Sequence, residues 1–81
     1  MTADDALCRA VGRRLRVWRV LNDRTQGDLA VEAGVTRNFV SAIERGAQGL
    51  DAVRLRKVAA AMDTPLAELL ADPPDDGRNR R

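Results

Sequence analysis

Arg37 and Asn38 are adjacent polar residues whose side chains carry the hydrogen-bonding groups that read nucleobases. An arginine guanidinium can donate two hydrogen bonds to one guanine edge, and an asparagine amide can pair in the same two-point way with adenine. Ser41 and Ala42 follow one helical turn later, where the hydroxyl could reach a base or a phosphate and the methyl could contact thymine. These four residues therefore form a candidate surface for base contact.

The residue types that carry most enzymatic and metal chemistry are scarce in this chain. It contains no histidine and a single cysteine, Cys8, among 81 residues. The usual zinc ligands and the commonest general base are thus missing, and an intramolecular disulfide is impossible. We expect no enzyme activity, no metal and no cofactor, and we expect Cys8 to be a small apolar residue near the start of a helix.

The composition predicts one small helical domain. Hydrophobic residues make up 44% of the chain but aromatic residues only 2%, so the core must consist mainly of Leu, Val, Ala and Ile, which favours helices over sheets. The net charge is +2, although residues 1–24 hold six arginines against three aspartates. That local excess could attract phosphates or could be an ordinary solvated helix face, and charge alone does not decide between them.

The elements that must position the candidate surface are predicted from apolar periodicity and capping residues. Steps of three and four separate Leu7, Val11, Leu15 and Trp18 on one stripe. Thr25, Thr36, Asp51 and Thr64 are expected to cap the helices that follow, with Asp28 completing a capping box at Thr25. The pattern predicts an all-α fold of five helices over residues 5–22, 25–33, 36–44, 51–62 and 64–71.

The second and third predicted helices meet the steric conditions of a helix-turn-helix. Ala30 is small where the helices would touch, and Gly34 permits the left-handed turn between them. Val40 and Ile43 face inward, which leaves Arg37 and Asn38 pointing outward. In this motif the second helix enters the major groove of DNA.

The domain is predicted to span residues 1–71. Pro73 and Pro74 end the last helix, and residues 72–81 contain nothing apolar to bury, so we expect a disordered tail. No stretch reaches the roughly 18 to 20 apolar residues of a membrane span, and the acidic first five residues do not resemble a signal peptide. We expect a cytoplasmic protein without a membrane partner or a small-molecule ligand.

The sequence resembles the lambda repressor/Cro-type helix-turn-helix family over about residues 11–71. The motifs that carry this resemblance are Leu15-Arg16 with Arg19, Thr25-Gln26 with Asp28-Leu29-Ala30, Ala33-Gly34-Val35-Thr36, Val40-Ser41, Ile43-Glu44-Arg45-Gly46, Lys57-Val58-Ala59 and Glu68-Leu69-Leu70. The resemblance implies a lambda-repressor-like domain in a sequence-specific transcriptional regulator. It also implies that a homodimer binds double-stranded DNA at pseudo-palindromic operators.

Site residues follow from the same resemblance. Arg37 and Asn38 match positions that contact bases, Gln26 matches a phosphate contact, and Arg19 and Glu44 match a partly buried salt bridge. Further expected phosphate contacts are Thr25, Arg24, Thr36, Arg45 and Arg14. The expected dimer contacts are Pro65, Leu66 and Leu69, although Leu66 and Leu69 could instead close the core of the monomer.

The sequence departs from the family pattern after Gly46, where a usually basic loop reads Ala47-Gln48-Gly49. Backbone amides, or Arg45, Arg24, Arg13 or Arg14, could replace the missing charge. Arg24 could equally be a plain exposed side chain. Phe39 is expected to point away from Val40 and Ile43 and to cover the turn or join the core in part, rather than contact DNA.

Two classes of function remain open at this point. The first is a DNA-binding transcriptional regulator of the repressor or controller type. The second is a protein-interaction module or antitoxin-like partner that keeps the helical fold without strong DNA binding. The near-neutral net charge and the uncharged loop favour the second class, whereas Gln26, Arg37 and Asn38 favour the first.

Overall fold

The computed structural model describes residues 3–71, and within them the chain forms helices and no strand. The helices are α1 (Ala3–Leu21), α2 (Gln26–Ala33), α3 (Arg37–Glu44), α4 (Ala52–Ala61) and α5 (Leu66–Leu69). The predicted all-α, five-helix fold is therefore confirmed. The tail predicted for residues 72–81 lies outside the described residues.

The predicted caps of α2, α3 and α4 are present. Thr25 Oγ1 accepts a hydrogen bond from the Asp28 N–H at 2.9 Å, and the Thr25 N–H donates to the Asp28 carboxylate at 3.0 Å, which completes the capping box. Thr36 Oγ1 accepts from the Phe39 N–H, and Asp51 Oδ1 accepts from the Val53 N–H. Short polar residues thus fix where each of these helices begins.

The start of α5 differs from the prediction. Thr64 does not cap the helix, because its hydroxyl donates backward to the Met62 carbonyl at 3.1 Å. Pro65 occupies the position before the first helical residue, with no side-chain cap. The helix then covers only Leu66–Leu69, so the restart signal at Thr64-Pro65 locates α5 correctly but overestimates its length.

One apolar core joins the five helices. The predicted inward residues Val40 and Ile43 of α3 are buried, as is one face each of α2 and α4, and Val11 and Leu15 contribute the stripe of α1. The fully buried side chains are Leu15, Leu29, Ile43, Leu69, Val40 and Val58. Burying a side chain of this size stabilises a fold by about 1.5 to 3 kcal/mol, so this core holds α3 against the rest of the domain.

Gly12 marks the closest approach of α1 to α3. A Cβ atom at this position would lie 2.4 Å from the Ile43 carbonyl oxygen and 3.0 Å from the Glu44 carbonyl oxygen. Real Cβ atoms do not come that close to backbone oxygens, so only glycine fits here without moving a helix. The absent side chain lets α1 cross directly over the C-terminal end of α3.

Two classes of feature are absent from the described part of the chain. None of its helices combines the length and the apolar character needed to cross a bilayer. Within the same residues, no three Cys, Asp or Glu side chains are grouped so that they could hold a metal ion.

Candidate nucleic-acid interface

A tight turn sets the angle between α2 and α3. Gly34 has a left-handed backbone with φ of 73°, and its N–H donates to the Ala30 and Val31 carbonyls at the end of α2. The Val35 N–H also donates to the Ala30 carbonyl, at 3.0 Å. These hydrogen bonds pair two N–H groups of the turn with free carbonyls at the end of α2 and so fix how α3 leaves α2.

The outward surface of α3 has the arrangement that base contact requires. Arg37 and Asn38 are exposed, whereas Val40 and Ile43 on the opposite face are buried. Ser41 and Ala42 are half-buried one turn later. The two side chains that can read base edges therefore project into solvent from a helix whose other face is fixed in the core.

Phe39 belongs to the core. It is 8% exposed, and the guanidinium of Arg54 on α4 lies 6.0 Å from the centre of its ring. The expectation that it points away from Ile43 is wrong, because residues four apart share one helix face. The alternative of partial core membership is confirmed.

Arg19 and Glu44 form a two-point ion pair between α1 and α3. Arg19 Nε donates to Glu44 Oε2 at 2.7 Å, and Arg19 Nη2 donates to Oε1 at 3.2 Å. Their side chains are 16% and 9% exposed, respectively, so water screens the pair poorly. The Gln26 amide donates to Glu44 Oε1 as well, at 3.2 Å, which ties the start of α2 to the same carboxylate.

This cluster shifts the pKa values of both charged groups. Burial raises the pKa of Glu44, but hydrogen bonds from Arg19 and Gln26 and the charges of Arg19 and Arg16 outweigh it, so the net pKa lies below the ordinary value. The hydrogen bond to Glu44 raises the pKa of Arg19, against a smaller opposing effect of burial. Both shifts favour the ionised pair.

The lowered pKa of Glu44 predicts a pH-dependent stability. A carboxylate with a depressed folded-state pKa stabilises the fold above its unfolded pKa, about 4.3, and this contribution is lost as the pH falls through the folded value. We expect Glu44→Gln to cost about 2 kcal/mol at pH 7, since a charged hydrogen bond is lost. Urea unfolding at a series of pH values should show the difference from wild type shrinking as the pH falls below about 4.3. A difference that stays constant over this range would contradict the assignment.

Several residues that were expected to contact phosphates already bond to other groups of the protein. Arg24 Nε donates to Glu32 Oε2 at 2.8 Å, in an exposed ion pair that would have to open before Arg24 could bind a phosphate. Arg45 Nη1 donates to Ser41 Oγ at 2.6 Å. The Thr25 and Thr36 hydroxyls serve as caps, and both residues are exposed at the starts of α2 and α3.

The Arg14 side chain, which was expected to contact a phosphate, bonds to backbone carbonyls. Its Nη1 donates to the Leu69 carbonyl at 2.8 Å and to the Ala71 carbonyl at 2.7 Å. The side chain therefore satisfies free carbonyls at the C-terminal end of α5, where a cation is favoured. Arg14 thus joins α1 to α5 in this structure, and its predicted phosphate contact would require these hydrogen bonds to open.

The three residues expected at the dimer contact differ in how exposed they are. Leu69 is 2% exposed and fills the core of the monomer, so it is not available to a second copy. Leu66 is half-buried and packs against the core, while Pro65 is exposed. The alternative that one of the two leucines closes the monomer is thus confirmed for Leu69.

Some residues of this region were not identified from the sequence. Gly12 carries a readable signal, since an isolated glycine within a helical pattern usually has a packing reason. Glu32, the partner of Arg24, lies eight residues further along the chain, on α2, and has no such signal.

The fold and the exposed surface of α3 together define a helix-turn-helix DNA-binding domain. The sequence matches the model of the helix-turn-helix family over residues 15–69. The chain belongs to this family, and its resemblance to the lambda repressor/Cro type is confirmed.

Relatives of this chain are bacterial regulators. It is 38% identical over 60 residues to the HTH-type transcriptional regulator SlrR of Bacillus subtilis, a match that covers 73% of this chain and 40% of SlrR. The chain thus spans less than half the length of that curated relative.

Two solved structures show how far the similarity extends in three dimensions. SinR of Bacillus subtilis, described as the master regulator for biofilm formation and solved in complex with DNA, is 31% identical with a TM-score of 0.67, over 74% of this chain and 97% of the SinR chain. The restriction-modification controller protein C.AhdI from Aeromonas hydrophila is 32% identical with a TM-score of 0.71, over 85% of this chain and 99% of C.AhdI.

Proposed function

We propose that this protein is a sequence-specific DNA-binding transcriptional regulator that places α3 in the major groove. The observation that carries the proposal is the exposure of Arg37 and Asn38 on a helix whose opposite face is buried. Similarity to SlrR, to C.AhdI and to SinR in complex with DNA supports the same function. Ser41 and Ala42 complete the proposed base-contacting surface, and no catalytic step is part of the proposal.

Phosphates on either side of the groove are bound at the starts of the two helices. Gln26 lies at the first position of α2, where free N–H groups and the helix dipole favour an anion. Its amide already donates to Glu44, so the Gln26 side chain is held in place before DNA arrives. Thr25 and Thr36 stand at helix starts in the same way. Arg24 is the cation next to the start of α2, and Arg45 is a cation at the C-terminal end of α3.

A gel-shift titration at two salt concentrations tests this function. Duplex fragments should be retained at low salt and released steeply as salt rises, because each phosphate contact releases counterions. Absence of binding at low salt would contradict the proposal. It would favour the second class, a protein-interaction module without strong DNA binding; the relative SinR has been solved in a complex with SinI protein as well as with DNA.

We propose further that the protein binds DNA as a homodimer. One α3 of eight residues can read only a few base pairs, and two symmetric copies about 34 Å apart would double the readout of a pseudo-palindromic operator. Pro65 and Leu66 at the start of α5 are the proposed contacts. Sedimentation at micromolar concentration should detect a dimer, free or on DNA; a strict monomer in both conditions would contradict this.

A further inference from the structure

Three arginines of α1 line a cleft at the C-terminal end of α3. Arg9, Arg13 and Arg16 are spaced by four and three residues, so they share one face of the helix. The cleft has a volume of about 290 Å³, and its other walls are Gly12, Glu44, Arg45 and Gly46.

The close contact of the two helices creates this cleft. Because Gly12 has no side chain, α1 lies directly against the last turn of α3. The stem of Arg9 passes over Gly46, where an added Cβ would lie 3.2 Å from Arg9 Cγ. The three arginines therefore line the cleft together with Arg45 and Gly46, where α3 ends.

Within residues 3–71 the positive charge of the cleft is offset only in part, by the electrostatic interaction of Arg16 with Glu44. Arg9, Arg13 and Arg16 are exposed, and none of them makes a hydrogen bond or an ion pair with another residue in the range 3–71. Glu44 is the one acid among the lining residues, and its carboxylate is already occupied by Arg19 and Gln26. Unpaired arginines around a concave surface are suited to bind a phosphate group.

The arginine row is continuous with the proposed DNA surface. It runs along α1 to Arg19, three residues after Arg16, and Arg19 and Gln26 bind the same carboxylate of Glu44. From Arg9 to Arg19 the helix rises about 15 Å. One strand of duplex DNA presents roughly four phosphates along that length of its axis.

We propose that the Arg9–Arg13–Arg16 cleft binds the phosphodiester backbone of duplex DNA beside the groove that α3 enters. This proposal rests on the proposed DNA-binding function and adds a phosphate site outside the helix-turn-helix. It also accounts for the uncharged loop Ala47-Gln48-Gly49, because the cations that the loop lacks are supplied from α1.

The test compares two double variants that remove the same charge. Arg13→Gln with Arg16→Gln alters the cleft, while Arg56→Gln with Lys57→Gln alters exposed residues of α4 that do not line it. Fluorescence anisotropy with duplex DNA at several salt concentrations gives the slope of log K against log salt. Each phosphate contact contributes about 0.9 to that slope, so the cleft variant should reduce it by about 1 to 2 units, equally for all DNA sequences. The control should leave it nearly unchanged.

Further measurements distinguish a DNA phosphate site from a structural role of the arginines and from a site for a small anion. Arg13→Lys with Arg16→Lys keeps the charge and should restore the slope; if it does not, or if the glutamine variant keeps the wild-type slope, the proposal is overturned. A purely structural role would lower the unfolding midpoint without changing the slope. Saturable binding of inorganic phosphate at constant ionic strength, with no change in the DNA slope, would assign the cleft to a small anion instead. Failure of the wild type to bind DNA would refute the proposed function itself.

Discussion

Replacing Gly12 by alanine should destabilise the domain by about 2 kcal/mol, although alanine is the better helix former. Inside a helix, alanine normally gains about 1 kcal/mol over glycine. Here the new methyl would lie 2.4 Å from the Ile43 carbonyl oxygen, a backbone atom that cannot rotate away. Overpacking of this kind costs about 1 to 3 kcal/mol, and a backbone obstacle places the cost at the upper end.

Gly27→Ala is the matched control for this prediction. Gly27 also lies in a helix, but an added Cβ there would meet only Thr25 Oγ1, at an ordinary 3.8 Å. We expect Gly27→Ala to be neutral or to stabilise the domain by up to about 1 kcal/mol. Thermal unfolding of both variants gives the comparison, and equal midpoints would show that α1 and α3 are not in the tight contact described.

Arg19→Ala should cost about 3 kcal/mol, because it leaves the Glu44 carboxylate poorly solvated and without its cation. The pair is held by two hydrogen bonds and is largely shielded from water. Arg19 Nη1 also donates to the Arg24 carbonyl, which closes the turn between α1 and α2. The loss should therefore exceed that of any exposed ion pair in residues 3–71.

Arg24→Ala provides the comparison for Arg19→Ala. Arg24 and Glu32 make an equally short contact of 2.8 Å, but their side chains are 42% and 40% exposed. Exposed pairs contribute about 0 to 1 kcal/mol, so Arg24→Ala should be almost neutral. Urea unfolding measures both losses. A loss for Arg19→Ala within the roughly 0.5 kcal/mol scatter of surface substitutions would refute the structural role of the pair.

Local features of the fold could be predicted because their causes are local. The capping box at Thr25 and Asp28 and the left-handed Gly34 depend on residues only a few positions apart, and the structure contains both. Apolar periodicity likewise placed Val11 and Leu15 of α1 and Val40 and Ile43 of α3 correctly in the core. Caps depend on hydrogen bonds within one turn, and apolar periodicity depends on the spacing of residues along a helix. Both can therefore be read without knowing how the helices pack.

What the sequence could not resolve is the role of side chains whose partners lie far along the chain. Arg14 is basic and outward on α1, so the sequence cannot distinguish a phosphate contact from its bonds to carbonyls 55 and 57 residues away. Leu69 is apolar and would suit either a dimer contact or the core. Whether Leu69 enters the core or stays free for a dimer contact depends on how α5 packs against α1 and α4, and the composition does not determine that packing.

The residue types of the candidate site were largely predictable, but the shape of its basic surface was not. The exposed Arg37–Asn38 surface follows from helical spacing on α3. The cleft of Arg9, Arg13 and Arg16 does not, because it exists only where Gly12 brings α1 against the end of α3. A basic helix face in the sequence becomes a concave binding surface only through that contact.

The central claim is that Arg37 and Asn38 on α3 read base edges, and selection of bound duplexes from a random pool tests it most directly. Wild type should enrich one motif, arranged as two symmetric half-sites. Arg37→Ala or Asn38→Ala should relax the preference at one position of each half-site, at a cost of about 1 to 3 kcal/mol for the preferred base. Enrichment of an unchanged motif by both variants, or no enrichment by wild type, would contradict the account.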